Sequence, residues 1–165
     1  MTGTRDLLAE LIGRIADGDD ECSYALGDPS ATSDWHEVSV LVADPGAVDA
    51  LIQQLLDGDA AGHRDVAGSY LASWLAGPVA QLVTGAWLDG GRVLHLELDQ
   101  VSVHFHADGW VDGVVVTDAG LTVGANDAAA RLAGVCVVDD YEERRGLVAE
   151  QVRAVASPIF AAVRA

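Results

Sequence analysis

Residues 90–117, GGRVLHLELDQVSVHFHADGWVDGVVVT, decide the fold, because apolar and polar side chains alternate along most of this stretch. The pattern predicts three consecutive antiparallel strands. A two-residue turn at Asp99 and Gln100 would set the register of the first pair. Leu98, Leu96 and Leu94 then oppose Val101, Val103 and Phe105 on an apolar face. On the other face Glu97 opposes Ser102, His95 opposes His104, and Val93 opposes His106. Three of the five histidines fall in this stretch. Directly opposed residues have Cβ atoms about 4.5–5.5 Å apart, so His95 and His104 could share a metal ion. Glu97 or His106 would complete a three-ligand set. The structural alternative is a polar sheet face open to water.

Working outward, residues 66–88 carry no charged side chain. That length could span a bilayer, at roughly 20 residues. Ser69, Ser73, Gln81 and Thr84 interrupt it, Gly77-Pro78 breaks it near the middle, and no basic cluster flanks it. We read it as two core helices or one kinked helix, with Tyr70, Trp74 and Trp87 filling space. Residues 5–16 predict a helix with Leu7, Leu8, Leu11, Ile12 and Ile15 on one face, ending in the acidic turn Asp17-Gly18-Asp19-Asp20-Glu21. This order lacks the alternation of a calcium loop and reads as a solvated helix end. Residues 35–43 predict a strand. Asp44-Pro45 starts a helix with Val48, Leu51, Ile52, Leu55 and Leu56 buried and Gly58 as its stop. Residues 126–132 predict a short helix capped by Asn126, and residues 135–138 a strand. Asp140, with Glu143 three residues on, caps a last helix whose stripe is Val148, Val152, Val155 and Ile159. The whole predicts a single α+β domain, a small antiparallel sheet packed against helices.

Composition removes several classes of function. At 165 residues with half of them hydrophobic, the chain can bury a real core. A net charge of −17 opposes nucleic acid and anionic membranes. All nine basic residues are arginine, which excludes Schiff-base and P-loop lysine chemistry. Cys22 and Cys136 are too few for a four-thiolate cluster, and Cys136, in an apolar run, reads as a buried thiol. The N-terminus lacks a signal-peptide pattern, so the chain reads as cytoplasmic. No catalytic residue can be assigned.

Three stretches carry a family resemblance. RDVAGSYLASWLAGPVAQLVTGAWLDG is similar to a helix of the FhuF-like ferric-siderophore reductases, where a small-residue segment leads to a proline and a short apolar helix. LDQVSVHFHADGWVDGVVVTD resembles the strand pair and Gly-Trp turn of that family, and EERRGLVAEQVRAVASPIFAAVRA resembles a later helix. The resemblance covers residues 64–165. It implies binding of a ferric siderophore or related iron complex. In the family the iron is reduced through a [2Fe–2S] cluster held by a C-terminal cysteine motif. This sequence contains no such motif, so the implied role is that of a ligand-binding portion, either a fragment truncated before the redox centre or a shortened relative, with no cofactor of its own. Arg92, Arg144 and Arg145 become candidate contacts for an anionic complex, and Trp110 a candidate stacking residue. The simpler reading pairs Arg144 and Arg145 with Asp139, Glu142 or Glu143. Two further readings stand beside this one: a non-catalytic interaction protein, with an apolar surface that could drive homodimerisation, and a metal-binding protein using the histidine face.

Overall fold

In the computed structural model, which describes residues 3–29, 34–58 and 62–164, the first helix is Thr4–Ala16 (α1). It buries Leu8, Leu11, Ile12 and Ile15, and Leu7 packs at the margin of the same core. The acidic turn then leads into Ser23–Leu26 (β1), a strand that sequence reasoning missed. The stretch predicted as one strand at residues 35–43 splits into Trp35–Glu37 (β2) and a helical turn and a half, Val38–Ala43 (α2). Val38 and Leu41 explain the split: three residues apart, both reach the core only in a helix. Pro45–Asp57 (α3) begins as predicted, with the Asp44 carboxylate accepting from the backbone N–H of Gly46 and Ala47 at 2.9 and 3.3 Å.

The charge-poor segment is one continuous helix, Arg64–Gly90 (α4), and Pro78 lies inside it. Its length and composition would suffice to cross a membrane, but it runs through the centre of the domain and packs on α1, α3 and other elements. Leu71, Leu75, Val79, Leu82 and Val83 are buried, each worth about 1.5–3 kcal/mol. Gly91, at φ +67°, closes the helix in the left-handed conformation that a glycine adopts without penalty.

The deciding stretch forms strands, but not three consecutive neighbours. Val93–His95 (β3) is followed by a single 3₁₀ turn, Leu98–Gln100, rather than a tight hairpin. The Gln100 side chain accepts from the Glu97 backbone N–H at 3.1 Å and steers the chain into a different sheet. Val101–Phe105 (β4) and Val111–Val116 (β5) form the predicted antiparallel hairpin, with a register shift between His104 and Phe105. Gly120–Val123 (β6) and Val135–Val137 (β7) complete the strands, and Tyr141–Arg164 (α5) ends the fold.

Two small mixed sheets replace the single antiparallel sheet. One has the order β1-β5-β4-β2, with β1 parallel to β5. The other has the order β3-β6-β7, with β7 parallel to β6. The class remains α+β in one domain. The helix predicted at residues 126–132 is a 3₁₀ turn, Ala128–Arg131, capped by Asp127 rather than Asn126. Because β7 is an edge strand, Cys136 is exposed, not buried. Asp140 caps α5 as predicted, accepting from the Glu143 N–H at 2.8 Å. Pro158 does not interrupt this helix, and of its stripe only Val155 and Ile159 are fully buried.

Candidate functional site

The acidic turn after α1 is a built structure rather than a solvated helix end, and Asp19 organises it. One carboxylate oxygen accepts the backbone N–H groups of Glu21 and Cys22 at 2.9 and 3.2 Å. The other accepts the Tyr24 hydroxyl at 2.9 Å and the Gln81 amide at 3.0 Å. The turn is thereby tied to β1 and to the middle of α4. Burial pushes the Asp19 carboxyl upward, but the four hydrogen bonds outweigh it and hold the group below its ordinary value. With Asp19 spent on the fold, Asp20 and Glu21 remain exposed beside it.

Between this turn and α4 lies a cleft of about 650 Å³. Its α4 wall is Ser73, Trp74, Gly77, Pro78 and Gln81, and Trp110 and Val111 close the far side. Both tryptophans are held by ring stacking. Trp74 lies against Tyr70 with centroids 5.4 Å apart and planes 16° apart. Trp110 lies against His106 at 4.8 Å and 28°. The β4–β5 turn fixes the second pair, through His106 N–H to the Trp110 carbonyl at 2.7 Å and Gly109 N–H to the His106 carbonyl at 2.8 Å. Aromatic side chains and unspent carboxylates lining one cleft suit a cationic or neutral ligand with apolar surface, and the volume falls within the usual range of about 300–1,000 Å³ for small-molecule sites.

A second groove, of about 440 Å³, lies on the other side of the acidic turn and reaches Ser23, Tyr24 and Asp112. There the shifted register of β4 and β5 leaves Asp112 without a cross-strand partner. Its carboxylate instead meets His104 Nδ1 at 2.5 Å, the kind of re-aiming that a bulge produces. Trp35 leans on the same imidazole at 5.4 Å.

The predicted site residues scatter. The opposition of His95 and His104 does not form, because β3 pairs with β6 whereas β4 lies between β5 and β2. His95 Nε2 bonds the Thr122 hydroxyl at 2.8 Å, and burial lowers the pKa of its imidazole. His106 stacks on Trp110, and Glu97 caps the 3₁₀ turn. Among the described residues no three His, Cys, Asp or Glu side chains gather in a geometry suited to a metal ion. The three candidate arginines all have protein partners. Arg92 grips Asp127, and Arg145 pairs with Glu142 at 2.6 Å. Arg144 donates to the carbonyls of Val138 and Asp139 while its guanidinium packs over Gly124, where a Cβ would lie 3.0 Å from Nη1. Of the eight candidates only Trp110 lines the acidic cleft.

Sequence reasoning took Trp74 for a core filler and Asp19 for solvent. The signal that marks the cleft is a second stripe on the apolar helix: Tyr70, Trp74, Gly77-Pro78 and Gln81 recur every three to four residues, away from the leucines. No protein-family model matches the chain, and no curated protein matches it either.

Proposed function

We propose that this chain binds a ferric siderophore or related iron complex of neutral or positive charge, without a redox centre of its own. The likeness of residues 64–165 to FhuF-like proteins supplies the ligand class, and the acidic cleft supplies its charge. The single observation that carries the reading is this cleft of about 650 Å³, lined by Trp74 and Trp110 together with Asp20 and Glu21. An anionic complex would meet carboxylates there, and Arg92, Arg144 and Arg145 all have protein partners. A ferric trihydroxamate, neutral or cationic, fits this environment better than a strongly anionic ferric tris-catecholate. The proposed role is capture, with any electron supplied by another molecule.

Titration of tryptophan fluorescence with a cationic ferric trihydroxamate tests the reading. Saturable quenching, weakened about tenfold or more in Trp110→Ala and in a Glu21→Gln/Asp20→Asn double variant, supports it. Tighter binding of the tris-catecholate, or no quenching by either complex, overturns it. A second reading, a protein–protein interaction module, draws on α5, which is apolar enough to cross a membrane by composition yet buries only 11% of its most apolar stretch.

A further inference from the structure

A separate groove lies at the other end of α4, where its first turns cross the end of α5. It encloses about 480 Å³. Small residues of α4 make its floor: Gly68, Ser69, Ala72 and Ser73 stand where the buried side of the same helix carries Leu71 and Leu75. Ile52 and Val163 form apolar walls, and Phe160, 40% exposed, stands at the side. Helix packing does not fill this space, although Gly68 is already as close to α5 as it can be: a Cβ there would lie 3.2 Å from Val163 Cγ1.

The mouth of the groove carries two arginines and one carboxylate. Arg64 and Arg164 both line it, in a chain with only nine basic residues. Arg64 is paired with Asp49, and Asp65 also sits at the rim. The Arg164 guanidinium has no hydrogen bond or ion pair among the described residues, so it is the cation available to a ligand. A slot with small-residue and apolar walls that ends at an unpaired guanidinium matches an elongated apolar chain with an anionic head. The Ser69 hydroxyl already donates to the Asp65 carbonyl at 2.8 Å.

We propose that this groove binds a single-chain amphiphile with a carboxylate head, of the free fatty-acid type, its chain between α4 and α5 and its carboxylate on Arg164. The site is distinct from the acidic cleft, and the two meet at Ser73, which lines both. Its floor is made of small residues beside Ile52, Val163 and Phe160 and its rim adds two arginines to one carboxylate, whereas the cleft is lined by tryptophans and carboxylates.

Isothermal titration of the full chain with monomeric dodecanoate, dodecanol and dodecylamine tests the assignment. The expected order is dodecanoate tightest, with Arg164→Gln weakening dodecanoate about tenfold and leaving dodecanol unchanged. Ala72→Leu, which fills the floor, abolishes binding of both, and a melting curve of each unliganded variant checks that it is folded. Ser69→Leu, on the exposed side of the same floor, serves as the second filling variant should Ala72→Leu fail to fold. Tighter binding of dodecylamine, or dodecanoate binding unmoved by both filling variants, overturns the proposal. So does a dimer in light scattering that covers α5 while dodecanoate fails to bind. Recruitment to anionic phospholipid vesicles without uptake of monomeric dodecanoate overturns it as well.

Discussion

Arg92 and Asp127 form a two-pronged ion pair, with Nε 2.8 Å from one carboxylate oxygen and Nη2 3.2 Å from the other, and their side chains are only 16% and 13% exposed. The pair joins the end of α4 to the 3₁₀ turn before β7, two segments that no strand pairing connects directly. Asp127 also caps that turn by accepting the Ala129 N–H at 2.8 Å. Arg92→Ala leaves this carboxylate poorly solvated, and we expect a loss of about 2–3 kcal/mol in urea unfolding. Arg145→Ala removes a pair whose two side chains are 65% and 63% exposed, and should change stability by less than about 0.5 kcal/mol. Equal effects of the two substitutions would refute this ordering.

Acid weakens the fold in two steps of known sign. The His95 imidazole is pushed below its ordinary 6.5 by burial, against a smaller opposing hydrogen bond with Gln151. The unfolded chain therefore takes up a proton first, and stability begins to fall as pH drops below 6.5. Asp127 and Asp89 are held below their ordinary 3.8, chiefly by hydrogen bonds from Arg92 and Arg14 respectively. Their contribution is complete above the unfolded value and is lost as pH falls through the lower folded one. A His95→Gln variant should flatten the upper step and leave the lower one, read from unfolding free energies measured across pH. A variant with the wild-type slope between neutrality and pH 5 would remove His95 as the cause.

The two cysteines differ in reactivity. Cys22 is buried at 7% exposure, and burial pushes its thiol up to about 11. Cys136 lies on the open edge of β7. Near pH 8, a thiol-selective disulfide reagent should label Cys136 quickly in the native protein and reach Cys22 only after denaturant is added. Peptide mapping assigns the label. Rapid native labelling of Cys22 would show that the turn held by Asp19 opens readily.

What could be read from the sequence was whatever local patterning dictates. The Asp44-Pro45 and Asp140–Glu143 signals located α3 and α5 because a cap is settled within a few residues. The β4–β5 hairpin was legible because Val101 and Val103 alternate with Ser102 and His104, and the valine-rich run 111–116 follows directly on the turn at Gly109. The partner of β3 was not legible. Leu94 and Leu96 satisfy an apolar face equally well against β4 or against β6, and only the 3₁₀ turn held by Gln100 selects the second. The parallel pairing of β1 with β5 joins residues about ninety apart, and nothing in SYAL specifies its partner. The candidate cleft was hidden for a related reason. Asp19 gains its role only when the turn meets Gln81, and the sequence separation of 62 residues conceals that meeting.

Gly109 is the residue through which the hairpin sets the cleft. It sits at φ +90°, where a side chain is strained, and a Cβ there would lie 2.6 Å from Leu55 Cδ2 in α3. Gly109→Ala must therefore bend the turn or displace Leu55, which is otherwise buried at 2% exposure. Backbone strain of this kind costs about 1–3 kcal/mol. The same displacement moves Trp110, whose carbonyl accepts the His106 N–H and whose ring rests on the His106 imidazole. We expect Gly109→Ala to lower the unfolding free energy and to red-shift tryptophan emission as Trp110 loses its stacking partner. Leu55→Ala combined with Gly109→Ala separates the two contributions. Relieving the clash restores the emission maximum if crowding by Leu55 moves Trp110, and leaves it shifted if the dihedral strain alone does so.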